Sequence, residues 1–456
     1  MPTMMVTEKE AIDAFEKRKE YTISVVGCGR MGLPTACLFA EAGYNVIGVD
    51  VDRRVVNLIK KGKAPFLEPG LNELIKKHTQ EDRLTATNNA EEAASTSDVI
   101  IFIVPTRIDE KKRPDYSQAE KACKDVGMGL RSGSLVIFES TMGPGETEKN
   151  VKKTLEGASG LKAGSDFGLA YSPIRATAGR VLQDIANYPR VIGAIDDRSL
   201  KVACLILGSV MKSELIVVKN IKTAEAVKLF ENVYRDVNLA LSNDLGCFCE
   251  KGGIDYFEAQ KAANTQPYCH LLIPGLVSGH IPTDPYLLLE EAENLNVKLG
   301  MVKLARATND GILDHSIRLV SDALRSCGKP FRRAKIAVLG VSYRPNIKET
   351  RGALVRGLID MLHKKGASVQ VYDPFFSYKE LVDLGYPAER NLAKAVESAD
   401  CILIAVGHDQ FRKLNLARLK FLAKKAAAIV DLGQVVDPVK AKKEGFVYRG
   451  LGRGLD

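Results

Sequence analysis

The sequence predicts an α/β protein in which two doubly wound domains are joined by a helical central domain. Short apolar strands alternate with helical segments from residue 22 to residue 193, and the same alternation restarts at Arg333. The stretch between them opens on a helical run from Lys222 to Leu245. Strands that alternate with helices are typical of parallel sheets with helices on both faces. The predicted domains are residues 1–215, 216–328 and 329–456.

Composition and charge exclude several classes of protein. The chain of 456 residues is 45% hydrophobic, as expected for a globular protein of several domains. No apolar run reaches the roughly 18 residues of a membrane span, and no secretion signal is expected before the first strand. The nine cysteines lack paired spacing, which predicts no metal site and favours a reduced, cytoplasmic protein. The net charge of +9 comes from scattered basic pairs without interleaved aromatics, so no nucleic-acid partner is expected.

A glycine-rich loop follows the first strand. The strand Thr22–Val26 runs into Gly27-Cys-Gly-Arg-Met-Gly32, a helix follows, and the next strand ends at Asp50. This arrangement is typical of a Rossmann-type dinucleotide site, where glycines let backbone N–H groups approach a pyrophosphate. Asp50 can accept both ribose hydroxyls and would repel a 2′-phosphate, which favours NAD over NADP, although Arg53 and Arg54 lie close by. The predicted contacts in this motif are Gly27, Gly29, Arg30, Met31, Gly32 and Asp50.

Two later strands of the first domain end in small polar residues. Ligands of open α/β sheets bind outside the carboxyl ends of strands, so these residues are further candidates for cofactor contacts. Each hydroxyl taken alone could equally cap a turn. The candidates are the hydroxyl residues Thr106, Ser140 and Thr141, together with Val104 and Pro105, which precede Thr106 at the end of its strand.

The central helix carries polar residues among core-type residues. Lys228 and Asn232 are four residues apart, so they point the same way on one helix. Alone, each could be a surface residue, but the pair on an apolar helix favours a functional interpretation. A loop of glycines and prolines, Pro274–Tyr286, then supplies His280 and Asp284. The apolar stripe of the same helix is too continuous to face water, which predicts a homodimer through the central domain.

The third domain repeats the strand–helix pattern without the glycine triplet. Its second strand, Ser368–Tyr372, again ends in an acid, Asp373. Without the glycines a second dinucleotide is not expected there, and a different nucleotide is the better prediction.

Taken together, these segments resemble the nucleotide-sugar 6-dehydrogenases of the UDP-glucose/UDP-N-acetylmannosamine dehydrogenase family. The resemblance extends from Val25 to Arg453, and so many ordered matches are more specific than any single motif. The matching pieces are Gly27-Cys-Gly-Arg-Met-Gly-Leu-Pro34, Glu68-Pro-Gly-Leu71, Glu139-Ser-Thr-Met-Gly-Pro-Gly145, Lys228-Leu-Phe-Glu-Asn232, Leu339-Gly-Val-Ser-Tyr-Arg-Pro345, Glu349-Thr-Arg351, Val371-Tyr-Asp-Pro374 and Gly407-His-Asp409.

The resemblance implies an NAD-binding domain, a helical dimerisation domain, a UDP-binding domain, and oxidation of a sugar C6 alcohol to the uronate with two NAD. By position, Lys228 and Asn232 would stabilise the oxyanion at C6, Asp284 would assist proton transfer, and Thr141 would orient a water. Arg351 would reach the NAD. The branch that the loop resembles acts on UDP-N-acetylhexosamines such as UDP-ManNAc or UDP-GalNAc. The implied substrate contacts are Arg175, Lys228, Asn232, Tyr343 and Arg344.

Two departures from the family pattern affect the second oxidation. His280 stands where the family has its nucleophilic cysteine, and Ile174 stands where a glutamate follows Ser-Pro. The enzyme could therefore stop at an aldehyde or ketone, oxidise the aldehyde hydrate with His280 as base, or recruit Cys269 as nucleophile. The other alternative is a non-catalytic relative that binds NAD and a nucleotide sugar, although the retained Lys228 and Asp284 argue against it.

Overall fold

The chain forms two compact units. The computed structural model describes residues 4–6, 12–424 and 426–454. The first unit comprises Met1–Glu231 and Tyr286–Val297, and the second comprises Asn232–Pro285 and Lys298–Asp456. The helical segment predicted at 216–328 is therefore shared between the two units, and the three domain boundaries stay a prediction.

The first unit contains a large, mostly parallel sheet. Its strands lie in the order β10-β9-β8-β7-β4-β1-β2-β3, and every neighbouring pair is parallel except β8 and β9. The order reverses between β1 and β4, and a crevice at such a switch point is the usual ligand site of a doubly wound sheet. The small pair β5 and β6 stands apart from this sheet. The strands are β1 (Thr22–Val26), β2 (Asn45–Val49), β3 (Leu84–Thr87), β4 (Val99–Phe102), β5 (Arg107–Ile108), β6 (Pro114–Asp115), β7 (Leu135–Phe138), β8 (Gly168–Tyr171), β9 (Arg190–Ala194) and β10 (Leu215–Val217).

The central strands of this sheet are buried throughout because helices cover both of its faces. The strands Val99–Phe102 and Leu135–Phe138 have no exposed residue, as expected for parallel strands between two helical layers. A π-helical turn, Thr147–Val151, precedes the seventh helix. The helices are α1 (Phe15–Arg18), α2 (Gly32–Glu41), α3 (Arg53–Lys60), α4 (Leu71–Gln80), α5 (Ala90–Thr96), α6 (Ser117–Gly127), α7 (Lys152–Ser159), α8 (Val181–Asn187) and α9 (Asp197–Gly208).

The predicted central helix is present and longer than expected. It is α10 (Ile221–Gly252), of 32 residues. On the single chain its apolar stripe is only partly covered: Leu229 is fully buried, whereas Phe230 and Leu241 are 59% and 48% exposed. The helices that follow are α11 (Tyr256–Ala263), α12 (Asp284–Asn294) and α13 (Gly300–Ser326). Among the described helices, none is both long enough and apolar enough to cross a membrane.

The second unit contains an all-parallel sheet of five strands in the order β12-β11-β13-β14-β15. Counted from its own first strand this is the order 2-1-3-4-5, the second common doubly wound arrangement, and its switch point lies between β11 and β13. Both doubly wound sheets of the predicted fold class are thus confirmed. The elements are β11 (Lys335–Leu339), β12 (Ser368–Tyr372), β13 (Cys401–Ile404), β14 (Ala428–Asp431), β15 (Val447–Gly450), α14 (Val355–Lys364), α15 (Tyr378–Asp383), α16 (Leu392–Val396), α17 (Leu416–Leu422) and α18 (Pro438–Lys443).

Candidate active site

The glycine loop between β1 and α2 has the shape that a dinucleotide requires. Gly27 has φ +100°, and a Cβ added there would lie 2.3 Å from the carbonyl oxygen of Ile103. A Cβ at Gly32 would lie 1.8 Å from the carbonyl oxygen of Gly27, so the first turn of α2 packs directly on the loop. At Gly29, by contrast, no described atom lies within 4 Å of an added Cβ. Two glycines therefore close the turn, and the third leaves open space where a pyrophosphate can approach the backbone.

Asp50 is positioned by the loop that it follows. Its Oδ2 accepts a hydrogen bond from the Cys28 backbone N–H at 2.9 Å, and its Oδ1 accepts one from the Asp52 N–H at 2.8 Å. Each oxygen keeps a free lone pair, and the residue is only partly buried, so ribose hydroxyls can reach it. Arg54, which could have bound a 2′-phosphate, instead bonds Asp52 through both its side chain and its N–H.

The candidate cofactor-binding residues that follow β4 and β7 are hydrogen-bonded to one another. Ser140 Oγ accepts the Val104 N–H at 2.9 Å, and Thr106 Oγ1 donates to the Thr141 carbonyl at 2.7 Å. These bonds join the carboxyl ends of the neighbouring strands β4 and β7. Arg30 lies at the start of α2, where its guanidinium donates to the Leu67 carbonyl at 3.3 Å.

Two buried carboxylates that the sequence analysis did not single out support the segment after β7. Glu225 on α10 is fully buried and accepts the N–H groups of Gly145 at 2.5 Å and Thr147 at 2.8 Å. Burial raises the pKa of Glu225 to about 7 against those hydrogen bonds. Glu139, at the end of β7, is paired with buried Arg190, and burial raises the pKa of Glu139 to about 7 despite that pairing. Glu225 could have been singled out from the sequence because it is a charged residue on the apolar side of α10.

Lys228 points toward the residue that replaces the family glutamate. Its Nζ donates to the backbone carbonyl of Ile174 at 2.9 Å. The carbonyl supplies an acceptor at that position, so the departure at Ile174 does not remove a partner from Lys228. The neighbouring Arg175 is held by Glu231 at 2.7 Å and by the Pro189 carbonyl at 2.8 Å. Arg175 thus needs to exchange one of these partners before it can bind a substrate.

One helical turn beyond Lys228, Asn232 meets the carboxylate that the sequence predicted. Its Nδ2 donates to Asp284 Oδ2, which bridges 52 residues of chain. Asp284 is 3% exposed, and its other oxygen accepts from Thr283 Oγ1 at 3.3 Å. The Asp284 N–H donates to the His280 carbonyl at 3.0 Å, so residues 280–284 form the turn that begins α12. His280 and Asp284 are therefore separated by a single hydrogen-bonded turn.

His280 itself is exposed, and its ring makes no hydrogen bond to any described residue. The preceding Gly279 has φ +81°, and its N–H donates to the Gly352 carbonyl at 3.1 Å. An added Cβ at Gly279 would lie 3.3 Å from the ring of Tyr343. The loop is thus packed against the segment that carries two of the predicted binding residues, Tyr343 and Arg351.

The binding segment of the second unit connects β11 to α14. Arg351 donates to Glu349 from Nε at 3.1 Å and from Nη2 at 2.8 Å, and its guanidinium is 77% exposed. Arg344 is partly exposed next to Tyr343. Contact of Arg351 with the cofactor stays a prediction.

A series of hydrogen bonds that starts on α13 fixes the beginning of the loop Pro274–Tyr286. Asn309 Oδ1 accepts from Asn243 at 2.9 Å, and Asn243 exchanges hydrogen bonds with both backbone groups of Gly275. Asn309 is held in turn by Asp236, which is paired with Arg306. Asn243 interrupts the apolar pattern of α10, but its partner 32 residues away could not be identified from spacing.

The hydrogen bonds of Cys269 are made with residues close to it in the chain and not with the groups described above. Its Sγ is 3.8 Å from Asn264 Oδ1, and its N–H donates to the Gln266 carbonyl at 3.0 Å. Within the described part of the chain no group of three or more His, Cys, Asp or Glu residues is arranged to hold a metal ion.

A glycine loop of this shape with a carboxylate for the ribose places the chain among the dehydrogenases that use a nicotinamide dinucleotide. Three family models then match in chain order, and all carry the name UDP-glucose/GDP-mannose dehydrogenase family: the NAD binding domain over residues 21–209, the central domain over 222–311 and the UDP binding domain over 337–438. The chain belongs to this family. It is therefore an oxidoreductase that takes a nicotinamide dinucleotide and a UDP-linked sugar.

Full-length relatives agree with the family models. The chain is 34% identical over 435 residues to a UDP-N-acetyl-D-mannosamine dehydrogenase of Pyrococcus horikoshii, covering 95% of this chain and 99% of the relative. The structure of UDP-D-ManNAc dehydrogenase from that organism superposes with a TM-score of 0.87 at 33% identity, over 95% of this chain and 99% of the other. An NDP-N-acetyl-D-galactosaminuronic acid dehydrogenase of Methanosarcina mazei Go1 gives 0.81 at 31% identity, over 97% and 98% of the two chains.

Proposed function

We propose that this protein uses NAD to oxidise the C6 hydroxyl of a UDP-N-acetylhexosamine such as UDP-ManNAc or UDP-GalNAc. The observation that carries the proposal is the hydrogen bond from Asn232 to Asp284, one helical turn from Lys228. This bond brings a carboxylate to the part of α10 that already presents an ammonium and an amide. The names of the full-length relatives support the N-acetylhexosamine as substrate.

Each group of this set has a distinct part in the first oxidation. Loss of a hydride from C6 leaves an aldehyde, and the hydroxyl proton must leave in the same reaction. The buried carboxylate of Asp284 accepts that proton. Lys228 and the Asn232 amide stabilise the negative charge that develops on the C6 oxygen. Asn232 also orients Asp284 through the hydrogen bond that they share.

The cofactor in this proposal is NAD rather than NADP. When bound, the cofactor would supply the acceptor for the hydride that leaves C6. Asp50 supports the choice because a carboxylate near the ribose repels a 2′-phosphate. Arg54 supports it because its guanidinium is already bonded to Asp52. The chain supplies the glycine loop for the pyrophosphate and leaves open space at Gly29 for its approach.

The thioester route that the family resemblance implies for a second oxidation lacks its nucleophile in this chain. Thioester formation needs a thiolate on the catalytic loop, and that position is His280. The exposed imidazole suits a general base better than a nucleophile that must hold an adduct. We therefore propose that the enzyme releases the aldehyde after one oxidation, and that any further oxidation acts on the aldehyde hydrate with His280 as base.

Assembly as a homodimer is part of the proposal. The exposed aromatic residues of α10 support it, since Phe230 and Tyr234 are each 59% exposed and Phe248 is 64% exposed. Exposed aromatic side chains repeated along one helix are typical of an interface between subunits. The cytoplasmic location predicted from the sequence belongs to the same proposal.

Mass spectrometry of the product, together with the NADH yield, tests the course of the reaction. Exhaustive reaction should give close to one NADH per sugar and an aldehyde product. A ratio near two that is unchanged in His280→Ala would contradict the proposed role of His280. An adduct trapped on Cys269 would then identify that thiol as the nucleophile.

A further inference from the structure

The two doubly wound units begin with the same backbone arrangement. In the first unit the Gly27 N–H donates to the Val49 carbonyl at 2.8 Å, and Gly27 has φ +100°. In the second unit the Gly340 N–H donates to the Tyr372 carbonyl at 2.8 Å, and Gly340 has φ +91°. Each glycine lies at the end of its unit's first strand, so the chain turns in the same way toward each switch point.

The acid that follows the second strand is also held in the same way in both units. Asp373 Oδ2 accepts the Val341 N–H at 2.8 Å, and its Oδ1 accepts the Phe375 N–H at 2.8 Å. These bonds correspond to those that Asp50 receives from the loop after β1 and from the residue two positions later. Asp373 therefore occupies the position at which a dinucleotide site binds the ribose.

A histidine occupies the remaining space around Asp373. His408 Nε2 lies 3.2 Å from Asp373 Oδ2, and both side chains have no exposed surface. The imidazole packs against Phe375 with ring centroids 4.9 Å apart and against Phe411 at 5.4 Å. Ser342 Oγ adds a contact of 3.4 Å to the same carboxylate oxygen. Asp50 keeps an open side for ribose hydroxyls, whereas Asp373 has none.

The second nitrogen of His408 fixes the loop after β11. Nδ1 accepts the Asn346 backbone N–H at 2.9 Å, and because an amide can only donate, Nδ1 is unprotonated and Nε2 carries the proton given to Asp373. Asn346 has φ +60°. Its side-chain amide donates to Asp409 Oδ2 at 2.7 Å, and its Oδ1 accepts the Asp409 backbone N–H at 3.0 Å. The loop that presents Tyr343 and Arg344 is thus anchored at its end by His408.

We propose that His408 is a positioning residue that makes the second unit a site for a uridine diphosphate rather than for a dinucleotide. Its Nε2 closes the acid that would bind an adenosine ribose, and its Nδ1 holds the Tyr343–Asn346 loop for the diphosphate. The ligand is a nucleoside diphosphate carried by the sugar substrate. This inference rests on the proposed function, since it assigns a residue to the binding of that substrate.

Two substitutions separate the two nitrogens. Asparagine places its Oδ1 near the position of Nδ1, so His408→Asn keeps the acceptor for the Asn346 N–H and loses the bond to Asp373. Glutamine places its amide nitrogen near Nε2, so His408→Gln keeps the bond to Asp373 and loses the acceptor. The loop-anchoring role predicts that UDP, titrated by calorimetry, binds His408→Asn within about threefold of wild type and His408→Gln about tenfold more weakly, the value of one net hydrogen bond.

The same samples supply controls. NADH binding belongs to the first unit and should be unchanged in both variants, while kcat with the sugar substrate should change less than KM. Equal UDP affinity in His408→Gln and wild type would overturn the inference, and so would losses of UDP affinity that simply follow the loss of thermal stability.

If neither histidine variant folds, Asp409→Ala provides the test, because the Asp409 side chain is 72% exposed and anchors the same Asn346. Asp409→Ala should weaken UDP binding about fivefold, and a Kd within about twofold of wild type would overturn the inference. UDP binding needs no turnover, so an inactive wild-type protein would contradict the proposed function without deciding this point.

Discussion

Gly29 allows the cofactor site to be tested without disturbing the fold. It is absent from the residues with positive φ, and no described atom lies within 4 Å of an added Cβ. Gly29→Ala should therefore fold normally. Its free energy of unfolding should equal that of wild type or exceed it by up to about 1 kcal/mol, because alanine restricts the unfolded chain.

Dinucleotide binding should respond to the same methyl group. In the proposed binding mode the pyrophosphate approaches the backbone N–H groups through the open space at Gly29, and a Cβ there would hold the phosphate away. Loss of one hydrogen bond to a charged group costs about 1.5–3 kcal/mol. That cost corresponds to a Kd for NADH roughly 10- to 150-fold weaker.

Fluorescence titration of NADH and thermal unfolding on the same samples provide the assay. Gly157→Ala in α7 is the matched control, because its added Cβ also meets open space far along the chain from the loop. Gly32→Ala is the opposite control, since its Cβ would lie 1.8 Å from the Gly27 carbonyl oxygen and should lower both stability and binding. NADH affinity in Gly29→Ala within about threefold of wild type would refute the reasoning.

The remaining predictions concern catalysis, pH and assembly. Lys228→Ala should lower kcat by about 10²–10³ in steady-state assays, by removing the charge that stabilises the C6 oxygen, while NADH titrations stay unchanged. Asp284→Asn should lower kcat by a similar factor, and by the same factor at every pH. A change in KM with kcat unchanged would argue against proton transfer by Asp284. Burial lowers the pKa of His315, but hydrogen bonds to Cys247 and Glu250 outweigh it and raise the value from 6.5 to about 9. The resulting stabilisation is fully present below pH 6.5 and is lost as the pH rises through 9, so His315→Ala should be destabilised by about 1–2 kcal/mol in urea unfolding near neutral pH and by less in alkali. Light scattering at micromolar concentration should find a dimer, which Phe230→Glu on α10 should dissociate; a wild-type monomer would contradict the interface.

The parts of the site that the sequence predicted are those encoded by local spacing. The glycine loop, the helix after it and Asp50 follow from one continuous motif, because a tight turn, a helix N-terminus and an acid recur at fixed offsets. Lys228 and Asn232 follow from helical periodicity. Asp284 was selected from its loop, and the structure brings it to Asn232 on α10.

The hydrogen-bond and ion-pair partners of the site residues could not be predicted from local spacing in the sequence. Glu225 holds Gly145 across 80 residues, and His408 meets Asp373 across 35, distances at which spacing carries no signal. The family resemblance implied Arg175 and Arg351 as ligand contacts, yet each is bonded to a glutamate within the protein. Tertiary packing decides which charges are free for a ligand, and that packing is not a local property of the sequence.

The most direct measurement is NADH absorbance on mixing the enzyme and NAD with UDP-ManNAc, UDP-GalNAc, UDP-GlcNAc or UDP-glucose. We expect NADH formation with at least one UDP-N-acetylhexosamine, and a rate about 10²–10³-fold lower with the same sugar in Lys228→Ala. A wild-type protein that binds NAD and UDP-sugars but forms no NADH with any of the four would contradict this expectation.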